Sequence, residues 1–469
     1  MPEPYELGTL EAATLLRARE LSALELTQSC LQRIEDRNGG PPSFDGAPDA
    51  INAWVRLYPE LACRQARAAD ELLRREADDA PLMCGIPVAV KDLYAIEGLA
   101  VTASSRVLEG NVARSDAIVW RRLRDQGAVL IGHTHTHEMA AGGTTDQVGN
   151  PWALDRIAGG SSGGSAAALA ARMVPAALGS DTCGSLRIPS ACCGTSAIKP
   201  SHGRLPSEGL IPFAPSLDHP GPMGRSVADC AVLLSAMAAD GPAISPLMPP
   251  PAAIGELSIT KRSTHHPLEG LTIALTDRAE LATLDGPVAS GLDAAREACE
   301  RLGARVVELS APWALDWADL SVVLLTEAWA YHARHADRQK YYRPAIAELM
   351  EAARNFTDAQ AYLSAQERRR RGTETWEHWF RSREVDLVLE PTLPILPLER
   401  GPGYERGHAG GPGDPLIALT ALWDMTGMPV VALPVSWDVG VSLIAPLGGE
   451  ATVIQAALDL QEHGLGTPF

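Results

Sequence analysis

Short apolar runs that stop abruptly alternate with stretches of helical periodicity along this 469-residue chain, and that alternation restricts the fold more than any other feature. The run at 86–90 closes on Lys91 and Asp92. Runs at 128–131, 271–275, 305–309, 385–389 and 429–433 read as further buried strands. Between and around them, residues 5–38, 59–78, 117–126, 287–302, 318–384 and 450–463 carry apolar side chains at helical spacing. Strands interleaved with helices predict an α/β fold: a single large domain with a central mixed, mostly parallel twisted sheet surrounded by helices. The Pro-rich segment SPLMPPPAAIG reads as a surface excursion inside that domain, because strand signals lie on both sides of it.

Composition narrows the function classes. The formal charge of −18 favours neither nucleic acid nor an anionic membrane as a partner. The longest run of small apolar residues, 166–178, is broken by Arg172 and Pro175 and is shorter than the roughly 20 residues that span a bilayer. The N-terminus has no basic region followed by a long apolar one, so no secretory signal is expected. Eight cysteines include no CxxC pair, which predicts reduced thiols and a cytoplasmic setting.

The most informative segment is 159–190, GGSSGGSAAALAARMVPAALGSDTCGSLRIPS. A Gly-rich stretch runs straight into an Ala-rich helix beginning near Ser165. Such a stretch can cap the helix, or it can let a substrate come close to the main chain. No phosphate-binding glycine pattern is present. In the second half, the N–H groups leading to Ser185 offer the row of donors that an oxyanion hole needs. Composition leaves Ser180, Ser185 and Ser190 as candidate nucleophiles, and only Ser185 follows a Gly in a turn-like setting. A serine needs a base, and no histidine sits in a recognisable triad motif. Lys91 ends the apolar run CGIPVAVK. Burial there would lower its pKa from near 10.4 by favouring the neutral amine; at a sheet edge the amine would instead reach solvent.

The motifs GIPVAVKD, NPW, GGSSGGSAAALAA, GSDTCGSLRIPS, CGTSAIKPSHGRLP and SLDHPGPMGRSVADCAVLL follow one another in the order of the amidase signature family, which this chain resembles from Gly85 to about Ala238. VDLVLEPTLPILP and LTALWDMTGMPVVALP match more loosely. The resemblance implies a serine amidohydrolase with Lys91 as base, Ser161 as relay and Ser185 as nucleophile. It also implies a cis peptide between Gly160 and Ser161, and an oxyanion hole from the N–H groups of Thr182, Cys183, Gly184 and Ser185. Ser162, Asp181 and Arg187 fall at supporting positions, and Met139 at one lining the substrate pocket. The family commonly has Gly where this chain has Cys183, so a thiol stands beside the nucleophile. The chain divides into N-terminal helices (1–80), the signature core (81–238), and a variable helical insert with the remaining strands (239–469).

Neither a metal nor a cofactor is called for. His133, His135 and His137 form HxHxH after a strand, and are expected at the surface or the lip of the site. Arg368–Arg371 read as a solvated helix face. Cys192 and Cys193 read as core. Trp313, Trp317, Trp329, Trp376 and Trp379 are core or the wall of an apolar substrate tunnel. The segment 401–414 is a mobile loop candidate. The expected partner is a small-molecule amide, such as an aryl amide or carbamate, handled by a monomer or homodimer. The alternative is the glutamine-hydrolysing subunit of a tRNA-dependent amidotransferase complex. A catalytically dead binding protein is disfavoured by the presence of Lys91, Ser161 and Ser185.

Overall fold

The computed structural model describes residues 2–76, 79–238, 266–278, 282–401 and 413–466. The Pro-rich segment and most of the 401–414 loop lie outside them. Eleven strands among the described residues form one sheet: β1 (Trp54–Leu57), β2 (Pro87–Lys91), β3 (Val129–Thr134), β4 (Ala176–Asp181), β5 (Ser196–Lys199), β6 (His219–Gly224), β7 (Thr272–Thr276), β8 (Arg305–Leu309), β9 (Leu387–Pro391), β10 (Val430–Pro434) and β11 (Gly440–Ile444). Their order across the sheet is β1-β3-β2-β4-β6-β5-β10-β11-β9-β7-β8.

The sheet is mixed, as expected, but not mostly parallel. Four neighbour pairs are parallel (β2 with β3 and β4, β7 with β8 and β9). Six are antiparallel. The reason lies in the strands that carry no apolar run. β6 is HPGPMG and lies antiparallel between β4 and β5, while β11 returns from β10 as a hairpin.

Helices form where their periodicity and caps predict. Ala23–Arg37 starts on Ser22, whose hydroxyl accepts the N–H of Glu25 at 3.1 Å while Glu25 accepts that of Ser22 at 3.0 Å. Pro59–Glu76, Ile118–Asp125, Gly286–Arg301 and Glu450–Glu462 fill the expected segments. The insert is built from Trp317–His332, Pro344–Ala353 and Ala359–Arg383. Trp376 packs against Trp379 and Trp423 at centroid distances of 5.3 and 5.0 Å, so Trp376 and Trp379 are core rather than tunnel wall.

The three histidines of HxHxH are buried, not at the surface: His133 lies on β3, an inner strand of the sheet, and His135 and His137 lie in the segment just beyond it. Each is used by the protein: His133 with Tyr58 OH (2.9 Å), His135 with Ser43 O (2.9 Å) and His137 with Thr144 O (2.8 Å). Among the described residues no cluster of His, Cys, Asp and Glu suits a metal. Cys192 and Cys193 are core, and no helix among the described residues is long and apolar enough to cross a membrane.

Candidate active site

β2 and β4 are parallel neighbours, with Val88 opposite Ala176 and Val90 opposite Leu178. Their carboxyl ends therefore emerge on the same edge, the place where open α/β sheets bind ligands. Lys91 is the last residue of β2. The turn 182–186 follows the last residue of β4, and the helix Gly163–Ala170, which packs on both strands, brings Ser161 and Ser162 to the same point.

Lys91 is fully buried, and its amine donates to three hydroxyls: Ser161 Oγ at 2.8 Å, Ser162 Oγ at 2.8 Å and Ser180 Oγ at 2.9 Å. Burial lowers its pKa to about 7, against the opposing pull of the Asp181 and Asp218 charges. The solvent-exposed alternative for this lysine is thereby removed. The peptide between Gly160 and Ser161 is cis, as the motif implied. A Cβ on Gly160 would run into the backbone of Thr144, so no larger residue fits before Ser161. Ser180, one of three candidate nucleophiles on composition, instead serves Lys91. Ser190 is buried on the helix Arg187–Cys193.

Ser185 sits at the end of the turn, 6% exposed, and lines a cavity of about 200 Å³. The N–H of Ser162 donates to the Ser185 carbonyl at 3.2 Å and ties the two serine-bearing loops together. Among the described residues the Ser185 hydroxyl has no hydrogen-bond partner, so its rotamer is unconstrained by one. Asp181 organises the turn. Its carboxylate accepts from the Gly184 N–H, from Leu186 N–H at 3.1 Å, and from Arg187 Nε at 2.9 Å and Nη2 at 3.1 Å. Gly184 thus leaves the expected oxyanion set: its N–H already has an acceptor. Thr182, Cys183 and Ser185 remain, and all three line the cavity. Gly184 has φ +128°, and a Cβ there would meet Thr420, which explains glycine before Ser185.

Met139 does not line the cavity. It is fully buried, with φ 55°, and its neighbours Ala140, Ala141, Gly142 and Gly143 form that wall instead. Ile188, Phe213, Leu324, Leu349 and Ile417 supply most of the remaining surface, and no charged side chain among the described residues lines it. The insert at 310–380 shapes the pocket through Ser321, Leu324, Leu325 and Leu349.

Sequence reasoning missed Asp424. Arg187 Nη2 donates to its Oδ2 at 2.5 Å, so one guanidinium bridges two buried carboxylates. Burial pushes Asp181 up, but the Arg187 charge overrides it and holds the carboxyl down at about 2. Asp424 is pushed well up by burial and by the Asp181 charge. A second buried lysine, Lys199, lies nearby. Burial lowers it to about 7, and its amine donates to Pro200 O at 3.3 Å rather than to any serine. Arg187→Met would strand two buried carboxylates. It is expected to destabilise the fold by about 3–5 kcal/mol in chemical denaturation, with inactivity following from loss of the turn.

Burial raises the Cys183 thiol well above its ordinary pKa, and the Asp424 and Asp181 charges add to this, so it stays protonated at neutral pH. We expect slow inactivation by iodoacetamide at pH 8. Cys183→Gly, which keeps the N–H, should change turnover by less than about tenfold.

The family model described as Amidase matches residues 25–454 of this chain. Among curated relatives, a glutamyl-tRNA(Gln) amidotransferase subunit of Azotobacter vinelandii is 32% identical over 498 residues, covering 98% of this chain and 97% of that one. The structure of 6-aminohexanoate cyclic dimer hydrolase aligns with a TM-score of 0.85 at 25% identity, over 99% of this chain and 98% of that one. Native peptide amidase from Stenotrophomonas maltophilia aligns with a TM-score of 0.82 at 27% identity, over 100% and 99%. The chain belongs to the amidase signature family, hydrolases acting on amide C–N bonds.

Proposed function

We propose that this chain hydrolyses small amides with an uncharged, largely apolar acyl group, aryl amides and carbamates among them, through an acyl-Ser185 intermediate. The observation that carries the reading is the buried Lys91 amine 2.8 Å from the Ser161 hydroxyl. The neutral amine accepts a proton through Ser161 as the Ser185 side chain turns to attack the substrate carbonyl. The N–H groups of Thr182, Cys183 and Ser185 stabilise the oxyanion. Ser161 returns the proton to the leaving amine, and water activated by the same relay releases the acid. Ser162 and Ser180 hold the lysine, while Asp181 and Arg187 hold the turn. A monomer or homodimer in a reducing, cytoplasmic setting belongs to the same reading, supported by eight unpaired thiols.

A second reading is favoured by the curated relatives: hydrolysis of glutamine as one subunit of a tRNA-dependent amidotransferase. Against it stands the cavity lining, which offers no charged partner among the described residues for the ammonium and carboxylate of glutamine. A panel of anilides, aliphatic amides, esters, carbamates and glutamine, run on the purified chain and on Ser185→Ala, tests both. Turnover of simple amides but not glutamine supports the first reading; glutamine turnover alone replaces it with the second.

A further inference from the structure

Arg369 departs from its neighbours. Arg368, Arg370 and Arg371 are the solvated helix face expected from sequence, but Arg369 is buried. It reaches inward: Nη1 donates to Ser216 Oγ at 3.0 Å and Nη2 to Ser216 O at 2.8 Å. Glu327, on the facing helix Trp317–His332, meets the same residue. Its Oε2 accepts the Ser216 N–H at 2.8 Å, and its Oε1 accepts the Ser216 hydroxyl at 2.5 Å and the Tyr362 hydroxyl at 2.8 Å. Gln366 Nε2 donates to Tyr362 OH at 2.9 Å and to Ser216 Oγ at 3.2 Å. Two helices of the insert thus grip one serine of the loop 213–218 by its N–H, its carbonyl and its hydroxyl.

Two residues further on, Asp218 connects this loop to the nucleophile turn. Its Oδ1 accepts the Thr182 hydroxyl at 2.7 Å, and its Oδ2 accepts the Phe213 N–H at 2.9 Å. Thr182 and Phe213 line the cavity. So does Leu324, three residues before Glu327 and on the same side of its helix. A satisfied polar network in a poorly solvated setting fixes geometry more strictly than apolar packing does.

We propose that Glu327, acting through Ser216 and Asp218, is a positioning residue that sets the orientation of Thr182, so that the helix shaping the acyl cavity also tunes the oxyanion turn. This rests on the acyl-Ser185 reading. An acyl group pressing on Leu324 and Leu325 shifts the helix that carries Glu327, so acyl fit is read out in kcat and not only in KM.

The test is a double-mutant cycle between Glu327→Gln and Thr182→Val on anilides of increasing acyl length, with unfolding midpoints measured for each protein. Each single change should lower kcat about tenfold with KM within about twofold, and the double variant should be no slower than the slower single one. Glu327→Gln should also flatten the dependence of kcat on acyl length. Effects that multiply, a change in KM alone, or a loss that only tracks the folded fraction overturns the proposal. Tyr362→Phe removes one donor to Glu327 and should show the same kcat loss more weakly; it replaces Glu327→Gln in the cycle if that variant does not fold. Labelling by a fluorophosphonate tells the two failures apart. A wild type unlabelled at Ser185 sinks the acyl-Ser185 reading, whereas labelled variants with multiplying effects sink only the role of Glu327.

Discussion

Ser185→Ala should lower turnover of every substrate by at least about 10³-fold while leaving the fold intact. The two halves of that expectation have separate grounds. Ser185 is the one serine of the motif that lines the cavity, beside Thr182 and Cys183. Ser161, Ser162 and Ser180 are instead gathered around Lys91. Removing the Ser185 hydroxyl breaks no side-chain hydrogen bond among the described residues, and the Ser185 carbonyl keeps the N–H of Ser162. The unfolding midpoint should therefore move by less than about 2 °C. The acyl-enzyme, seen as an intact-mass increase on rapid quench, should disappear. If Cys183 were the nucleophile, Ser185→Ala would keep activity within about tenfold and the adduct would survive. The protonated state of that thiol argues against this outcome.

How much of this was legible before the structure depends on how local each feature is. Lys91, Ser161, Ser185, Asp181 and Arg187 lie in short motifs whose neighbours are close in sequence, and they meet because β2 and β4 are adjacent. Asp424 lies 237 residues from Arg187 and looks, in LWDMTGMP, like any helix-end carboxylate; only the packing of that segment against the helix Arg187–Cys193 reveals it. Glu327 and Arg369 are hidden in the same way, the latter inside a run that is otherwise solvent-facing. Among strands, β2, β3, β7, β8, β9 and β10 were readable from their apolar runs, whereas β1, β4, β5, β6 and β11 were not. In β6, two Pro and two Gly leave no periodicity, and the segment is a strand because it pairs antiparallel with β4 and β5. Gly184 shows the opposite limit: the motif suggested its N–H as an oxyanion donor, but a carboxylate three residues earlier takes it.

Lys91 gives the second large effect, and pH gives it a signature. The amine acts only when neutral. With its pKa lowered to about 7 by burial, kcat should rise about tenfold per pH unit below that value and level off above it. Stability carries the complementary sign. The unfolded chain presents a lysine with its ordinary pKa of 10.5, so between about 7 and 10.5 it binds more protons at this position than the native state does. Stability from this group therefore rises with pH across that window, is flat above it, and is flat again below about 7, where both states hold the proton. Lys91→Met removes the base and this linkage together. Turnover should fall at least about 10³-fold at pH 8, and the limb below pH 7 should vanish from whatever activity remains. The unfolding free energy, measured against pH, should lose the part of its slope between about 7 and 10.5 that this lysine contributes. A variant that lost activity simply by misfolding would show a lower midpoint at every pH. A wild type whose kcat is flat from about pH 5 to 9 would mean that Lys91 does not act as the base, whatever its distance from Ser161.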